Sequence, residues 1–348
     1  MYLFLWIGMT KLFKHQIQQE QQSISVIIAA RNEESSIGNL VHSLVNQDYP
    51  SNKFEIIVVN DRSVDSTASI VERFTLLHSH VRLITIESNK TDMPDKKNAL
   101  RTGIDQSSFK ILAFTDADCI VPPHWLNEIS KQYTTDVGVV AGYSPYTKIL
   151  ANSFLRYEEF INSLIAASAI EWKKAFMCTG RNFSYRKTLY TEIGGFEGIK
   201  KSISGDDDLF LQLAQQKTNW NIRYMISPDS YISTTPPHSF SQFVNQRARH
   251  VSASKYYALQ IKLAFSFVHL FHLSIFIGFF FVPFISLIAL LIKFNVDALY
   301  ITVGKNVFHE EFSLVEFMIH DSLLVLYSFF IAPLGFLKTF DWKGTANR

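Results

Sequence analysis

Four apolar runs, each closed by a cluster of polar residues, organise the first third of the chain. "SISVIIAARNEE" is apolar up to Ala30 and turns polar at Arg31 and Glu33. "FEIIVVNDRS" repeats the pattern and reaches Asp61; "VRLITIES" is a third run; "KILAFTDAD" closes on Asp116 and Asp118. Short runs rich in Val and Ile predict buried strands. Between them the spacing becomes helical. In "SSIGNLVHSLVNQ", Ile37, Leu40, Val41, Leu44 and Val45 share one face, with Ser35 or Ser36 as N-cap. "DSTASIVERF" starts a second helix capped by Asp65 or Ser66, and "KKNALRTGIDQS" forms a third. Strands alternating with helices predict an α/β fold with a doubly wound, mostly parallel sheet. Ligands of such sheets bind beyond the carboxyl ends of the strands. Arg31–Glu33, Asn60–Ser63 and Asp116–Asp118 should therefore converge on one crevice.

After Lys262 the pattern changes. No Asp, Glu, Lys or Arg occurs before Lys293. A run of that length exceeds the roughly 20 residues that cross hydrocarbon, so one transmembrane helix is expected over 261–293, tilted or kinked at Pro283. A tight re-entrant hairpin and a buried core helix are the other readings. A second span is expected over 315–337, where Asp321 is placed near the interface. The first residues, 1–14, form a short hydrophobic anchor, too short to span unaided. Lys and Arg flank these segments, while the connecting 294–315 carries only Lys305. The positive-inside rule then puts a domain over 22–255 and a tail over 338–348 in the cytosol.

The apolar excess is local to these segments. Of the 348 residues 47% are hydrophobic, and the formal net charge of +2 does not point to nucleic acid. Two cysteines, Cys119 and Cys178, give no disulfide framework and no thiolate zinc site. The first strand runs into "AARNEESS", which lacks glycine, and no GxxxxGK[ST] occurs, so neither a dinucleotide fingerprint nor a P-loop is supported.

What the chain does carry is an ordered set of motifs. "SVIIAARNEE", "VVNDRSVDST", "DKKNALRTG", "TDAD", "TGRNFSYRK", "IGGF", "SGDDDLFLQL" and "QRARH" follow one another from Ser23 to Lys255. In that order they resemble the family 2 inverting glycosyltransferases of the GT-A fold. TDAD resembles the DxD motif, GDDDL the EDxDL region, and QRARH the QxxRW region. Three departures stand out: Asp95 replaces a usual Gly, Gly205 replaces a Glu before the catalytic Asp, and His250 replaces the terminal Trp.

The resemblance implies a nucleotide-diphosphate sugar donor, with UDP foremost, and a lipid-linked or saccharide acceptor at a membrane lipid surface. Asp116 and Asp118 would hold Mg²⁺ or Mn²⁺ on the diphosphate. Ala30, Arg31, Glu33, Asp61, Lys96, Asp116, Arg247 and Arg249 would form the donor side, Asp61 accepting from a uracil N–H and the arginines gripping phosphate. Gly180, Asn182 and Gln246 would shape the acceptor side. Trp125 and Trp172 read as packing residues. Inverting transfer needs a base for the acceptor hydroxyl. Aligning Asp208 and Leu209 with the family's Asp-Leu makes it Asp206, and a one-residue slip makes it Asp207. Three adjacent carboxylates should raise one another's proton affinity. A processive polysaccharide synthase, a nucleotide-sugar-binding scaffold without catalysis and a transporter are the competing classes. His250 and the few spans count against the first, and the intact acidic motifs against the second.

Overall fold

A computed structural model describes residues 2–89, 91–148, 153–237, 239–331, 340–342 and 345–347. A short helix α1 (Tyr2–Lys11) precedes the alternating series β1 (Ile24–Ala30), α2 (Ile37–Val45), β2 (Phe54–Asp61), α3 (Thr67–Leu77), β3 (Val81–Ile86), α4 (Asp95–Asp105) and β4 (Ile111–Phe114). The chain continues through β5 (Cys119–Ile120), α5 (Trp125–Gln132), β6 (Val137–Gly142), α6 (Ser153–Glu171), β7 (Phe183–Arg186) and α7 (Lys187–Glu192). Then come α8 (Asp208–Lys217), β8 (Asn221–Met225), β9 (Ser233–Thr234) and α9 (Phe240–Ala253). The apolar end comprises α10 (Leu259–Phe281), α11 (Pro283–Phe308) and α12 (Leu314–Ile331), followed by a small hairpin, β10 (Phe340–Trp342) and β11 (Thr345–Asn347).

Seven strands form one sheet in the order β3-β2-β1-β4-β7-β6-β8. The four strands expected from the apolar runs are its parallel half. β7 runs antiparallel to both β4 and β6, which makes the other half mixed. Every residue of β2 is buried, as a strand covered on both faces requires. Ile37, Leu40, Val41 and Leu44 bury the predicted face of α2. The chain winds from β1 out to β3 and then crosses back to β4 on the other side of β1. That reversal opens a crevice between the carboxyl ends of β1 and β4. Pairing of β4 stops at Phe114 opposite Ile27, so the chain after it leaves the sheet beside the last residues of β1.

The apolar end departs from the single span expected over 261–293. Two helices meet at Val282, and both are long and apolar enough to cross a membrane. A Cβ on Gly278 would lie 2.3 Å from the Ser286 hydroxyl oxygen. Eight residues along one continuous helix would stand about 12 Å apart, so the chain doubles back here as a helical hairpin. Pro283 is the first residue of the returning helix, where its missing N–H costs nothing. The returning helix absorbs 294–308, which was expected as a loop, and ends back on the globular domain. There Phe308 packs edge-on to Tyr143, and Glu310 pairs with Arg156 at 2.5 Å.

Asp321, expected near the interface, has charged partners in the helical end. It is buried, 2.6 Å from the Lys293 ammonium, and Lys293 also binds Asp297. Buried charges persist when paired, and this cluster joins α11 to α12. The described part of the expected second span is α12; residues 332–339 lie outside the described residues, and β10 beyond them rests against α9. The N-terminal anchor segment is helical and lies along α6. Leu5 and Met9 are buried there, while Phe4, Trp6 and Ile7 show apolar surface. Gly8 permits the close approach, since a Cβ would fall 2.6 Å from the Ser168 carbonyl oxygen.

Candidate functional site

Two strand ends are stitched together before any catalytic group is placed. Asn32 N–H donates to Ser63 Oγ, Glu33 N–H to Thr67 Oγ1 and Glu34 N–H to Asp65 (2.8–3.0 Å). In return Val64 N–H reaches Asn32 and Ser66 N–H reaches Glu34. Asn32 (φ 54°) and Arg62 (φ 56°) take left-handed backbone, which side chains other than glycine rarely adopt. Such strain concentrates at functional sites. Asp65, rather than Ser66, supplies the side-chain acceptor at the start of α3, taking the Thr67 N–H. Asp65 was expected as a cap, whereas Ser63 and Thr67 were not singled out, although the SxDxT spacing of "SVDST" carries all three.

Asp61 is buried at the end of β2 with both oxygens on the Arg62 guanidinium, at 2.8 and 3.2 Å. Arg62 reaches on to Asp95, which Arg31 also holds at 2.9 Å. The replacement of glycine by Asp95 thus has a partner on each side. Burial pushes the Asp95 carboxyl up, but Asn89, Arg62 and Arg31 outweigh it and hold it below the ordinary range. Glu33 takes the Ser36 hydroxyl at 3.1 Å, and Ala30 is buried at the end of β1.

The centre of the site is the Lys96 ammonium. It lies 3.0 Å from Asp116 and 3.0 Å from Asp206, so α4 bridges the end of β4 and the start of α8. Asp116 is partly exposed and Asp118 exposed beside it. The three acidic neighbours in "GDDDL" have different environments. Burial pushes the Asp206 carboxyl up, but Lys96 and Lys97 outweigh it and keep it below the ordinary range. The expectation that all three raise one another therefore fails at Asp206. It holds for Asp207, raised by burial and by the Asp206 charge, and for Asp208, raised by burial and by Asp207. Asp207 accepts from the backbone N–H of Asp208 (2.7 Å) and of Gly180 (2.8 Å), which makes it the N-cap of α8. Asp208 accepts from Cys178 N–H and from the Tyr257 hydroxyl at 2.6 Å.

Gly205 explains its own departure from the family pattern. Its φ is +81°, and a Cβ would lie 2.7 Å from two Leu209 side-chain carbons. A Glu cannot occupy that backbone without moving it.

The other expected residues divide. Gly180 lies against Asp207, as described. Asn182 is fully buried and fully used: it takes the Trp125 indole N–H at 3.0 Å and donates to the carbonyls of Tyr143 and Ser230. It is a core residue, not an acceptor-side one. Trp125 is buried, and Trp172 stacks on Phe4, so both tryptophans pack as expected. Arg247 turns away from the crevice to a buried pair with Glu158 of α6, 2.5 Å apart. Arg249 stays on the site side: its charge acts on Lys96, and its carbonyl takes the Ser204 hydroxyl. Gln246 Oε1 is buried with no hydrogen-bond partner among the described residues. Arg181, not singled out from the sequence, pairs with Glu159 at 3.2 Å and acts on Asp116. A cavity of about 300 Å³ opens between Phe13, Tyr224 and His309, and none of the site carboxylates lines it.

Among the described residues no three His, Cys, Asp or Glu side chains form a metal cage. A divalent cation on a diphosphate needs fewer protein ligands, because phosphate oxygens complete its shell. Asp116 and Asp118 offer hard oxygen donors at an exposed strand end. A cationic ammonium already bridges Asp116 to Asp206. The donor set fits Mg²⁺ or Mn²⁺.

Comparison with known proteins bears on the whole arrangement. A family model described as glycosyl transferase family 2 matches residues 25–205. The chain is 25% identical over 253 residues to a probable glycosyltransferase, YdaM, of Bacillus subtilis, covering 71% of this chain and 59% of that one. It is 29% identical over 191 residues to a poly-beta-1,6-N-acetyl-D-glucosamine synthase of Staphylococcus epidermidis, covering 54% and 42%. The chain thus spans less than two thirds of these curated relatives. The mannosyltransferase PcManGT of Pyrobaculum calidifontis, solved with GDP-Man and Mn²⁺, superposes with a TM-score of 0.54 at 18% identity, over 93% of this chain and 87% of that one. At that identity the likeness is one of fold.

Proposed function

Because this chain belongs to glycosyl transferase family 2, we propose that it moves a sugar from a nucleotide-diphosphate sugar, a UDP-sugar foremost, to a lipid or lipid-linked saccharide acceptor at a membrane surface, with inversion. The observation that carries this reading is the Lys96 bridge, which brings a DxD carboxylate and the acidic segment before α8 to one cation at the sheet's switch point.

Asp206 is the base. It accepts the proton of the acceptor hydroxyl as that oxygen attacks the anomeric carbon, and the bond from that carbon to the diphosphate oxygen breaks with its electron pair. An ionised carboxylate is needed, and Lys96 and Lys97 keep Asp206 ionised. Both Asp207 oxygens are already committed to backbone N–H groups, which favours Asp206 over its neighbour. A Mg²⁺ or Mn²⁺ on Asp116 and Asp118 would act as a Lewis acid on the leaving diphosphate. Arg249 and Lys96 add positive charge on the same side. Asp61 keeps lone pairs for a base N–H while Arg62 fixes its orientation. Gln246 offers its unused oxygen to an acceptor hydroxyl.

The membrane half of the reading rests on Tyr257. Its hydroxyl binds Asp208, and α10 starts only two residues later. The acidic cluster therefore lies close to a hairpin whose first helix is almost entirely exposed and apolar. A large bare apolar surface marks a membrane contact, which supports a cell-membrane location. The Staphylococcus relative's name favours a second reading, processive polysaccharide synthesis.

A screen of nucleotide sugars for release of nucleoside diphosphate, with lipid acceptors and with Asp118→Ala as control, tests the proposal. Turnover that survives both EDTA and Asp118→Ala would overturn the metal assignment. Product length separates single addition from polymerisation.

A further inference from the structure

Lys97 follows the bridging lysine on α4 and exposes none of its surface. Its ammonium donates to the carbonyl oxygens of Ser202 (2.5 Å) and Ser204 (2.8 Å). Both carbonyls belong to the segment that runs into Gly205 and Asp206. Burying an ammonium is costly unless hydrogen bonds and charges compensate. Here the direct partners are neutral carbonyls. The charged groups acting on Lys97 are Asp206 and Asp207 from the segment it holds and Lys96 from its own helix. Burial accordingly pulls its pKa down to about 8.

The held segment needs an anchor. Gly205 sits at φ +81°, and glycine loses more conformational freedom on folding than any other residue, so holding this turn needs added contacts. We propose that Lys97 is a positioning residue: its ammonium ties down Ser202 and Ser204 and so aims the Asp206 carboxylate, without touching donor, metal or acceptor. This rests on the reading of Asp206 as the base.

The test compares Lys97→Met and Lys97→Arg with the natural chain, each carrying its apolar helices and held in detergent or lipid. Donor KM, kcat and hydrogen exchange of the amides of residues 202–208 are measured. Lys97→Met is expected to lower kcat about 100-fold, the loss that a 1 Å misplacement of a reacting group brings, at unchanged donor KM. Exchange in residues 202–208 should quicken, and Lys97→Arg should restore most of the kcat. Unchanged exchange, or a raised donor KM with kcat intact, overturns the proposal. If Lys97→Met does not fold, Lys97→Leu, which likewise removes the donor, is read the same way. Turnover that survives Asp206→Asn would instead remove the base assignment, and the exchange data with the arginine rescue would still decide whether Lys97 anchors the segment.

Discussion

The Lys96 ammonium stands 3.0 Å from the Asp206 carboxylate, on the segment that follows the long β7–α7 excursion. Its positive charge favours the ionised form of Asp206, so the folded pKa is depressed. Removing it should raise that pKa. Activity that needs ionised Asp206 would then be lost at a higher pH on acidification. We expect Lys96→Met to move the acid limb of the kcat/KM profile upward by about one unit or more. An unshifted limb would mean that Lys96 does not act on the base.

The DxD pair makes a metal prediction. EDTA should abolish nucleoside diphosphate release, and excess Mg²⁺ or Mn²⁺ should restore it. Asp118→Ala should lower kcat/KM by about 10²–10³-fold, in the range that one lost electrostatic contact at a developing charge costs. Asp118 is exposed, so the melting temperature should barely move.

Two arginines two positions apart on α9 should behave oppositely. Arg247→Ala leaves the buried Glu158 carboxylate without its partner. That should cost about 3–5 kcal/mol of stability, visible as early unfolding in detergent. Arg249→Ala should leave unfolding nearly unchanged and weaken donor use. Equal effects on melting would contradict the split.

Gly205→Glu restores the residue that the family often carries, yet it should harm this chain. The left-handed backbone and the 2.7 Å approach of Leu209 leave no room for a Cβ. Stability should fall by at least the 1–2 kcal/mol of a strained left-handed residue, and kcat should fall with it. A fully active glutamate variant would show that the loop can take another path.

Charges placed on the bare face of the hairpin should release the protein from membranes. Phe267 and Leu270 are 69% and 62% exposed near the middle of α10. Each charge at the centre of a span costs about 2.5–3.5 kcal/mol. Phe267→Asp with Leu270→Asp should reduce retention in carbonate-washed membranes, whereas retention equal to the natural chain would place this face elsewhere.

The parallel half of the sheet and the meeting of three polar strand ends were legible because apolar period and strand-end chemistry are local signals. β7 and β8 were not, since "FSYR" and "NIRYM" are short and mixed, and only long-range pairing makes them strands. The double-back at Val282 was hidden for a related reason. Hydropathy reads length, and the run before Lys293 has no charge to mark a turn. Lys293 itself was taken as a boundary because its partners, Asp297 and Asp321, come later in sequence. Arg247 and Asn182 were misplaced because a motif gives residue types in order, while the direction a side chain takes depends on Glu158 and Trp125, which lie 89 and 57 positions away.

One turn of α6 addresses four separate parts of the molecule with four consecutive side chains. Arg156 binds Glu310, Tyr157 reaches Asp321 at 3.4 Å, Glu158 holds Arg247, and Glu159 pairs with Arg181. For anyone building chimeras, the natural seam is therefore not the boundary before α10. A graft cut there would sever the hairpin from its sockets, while a graft that carries α6 with α9 to α12 would keep Glu310, Asp321 and Arg247 on their partners.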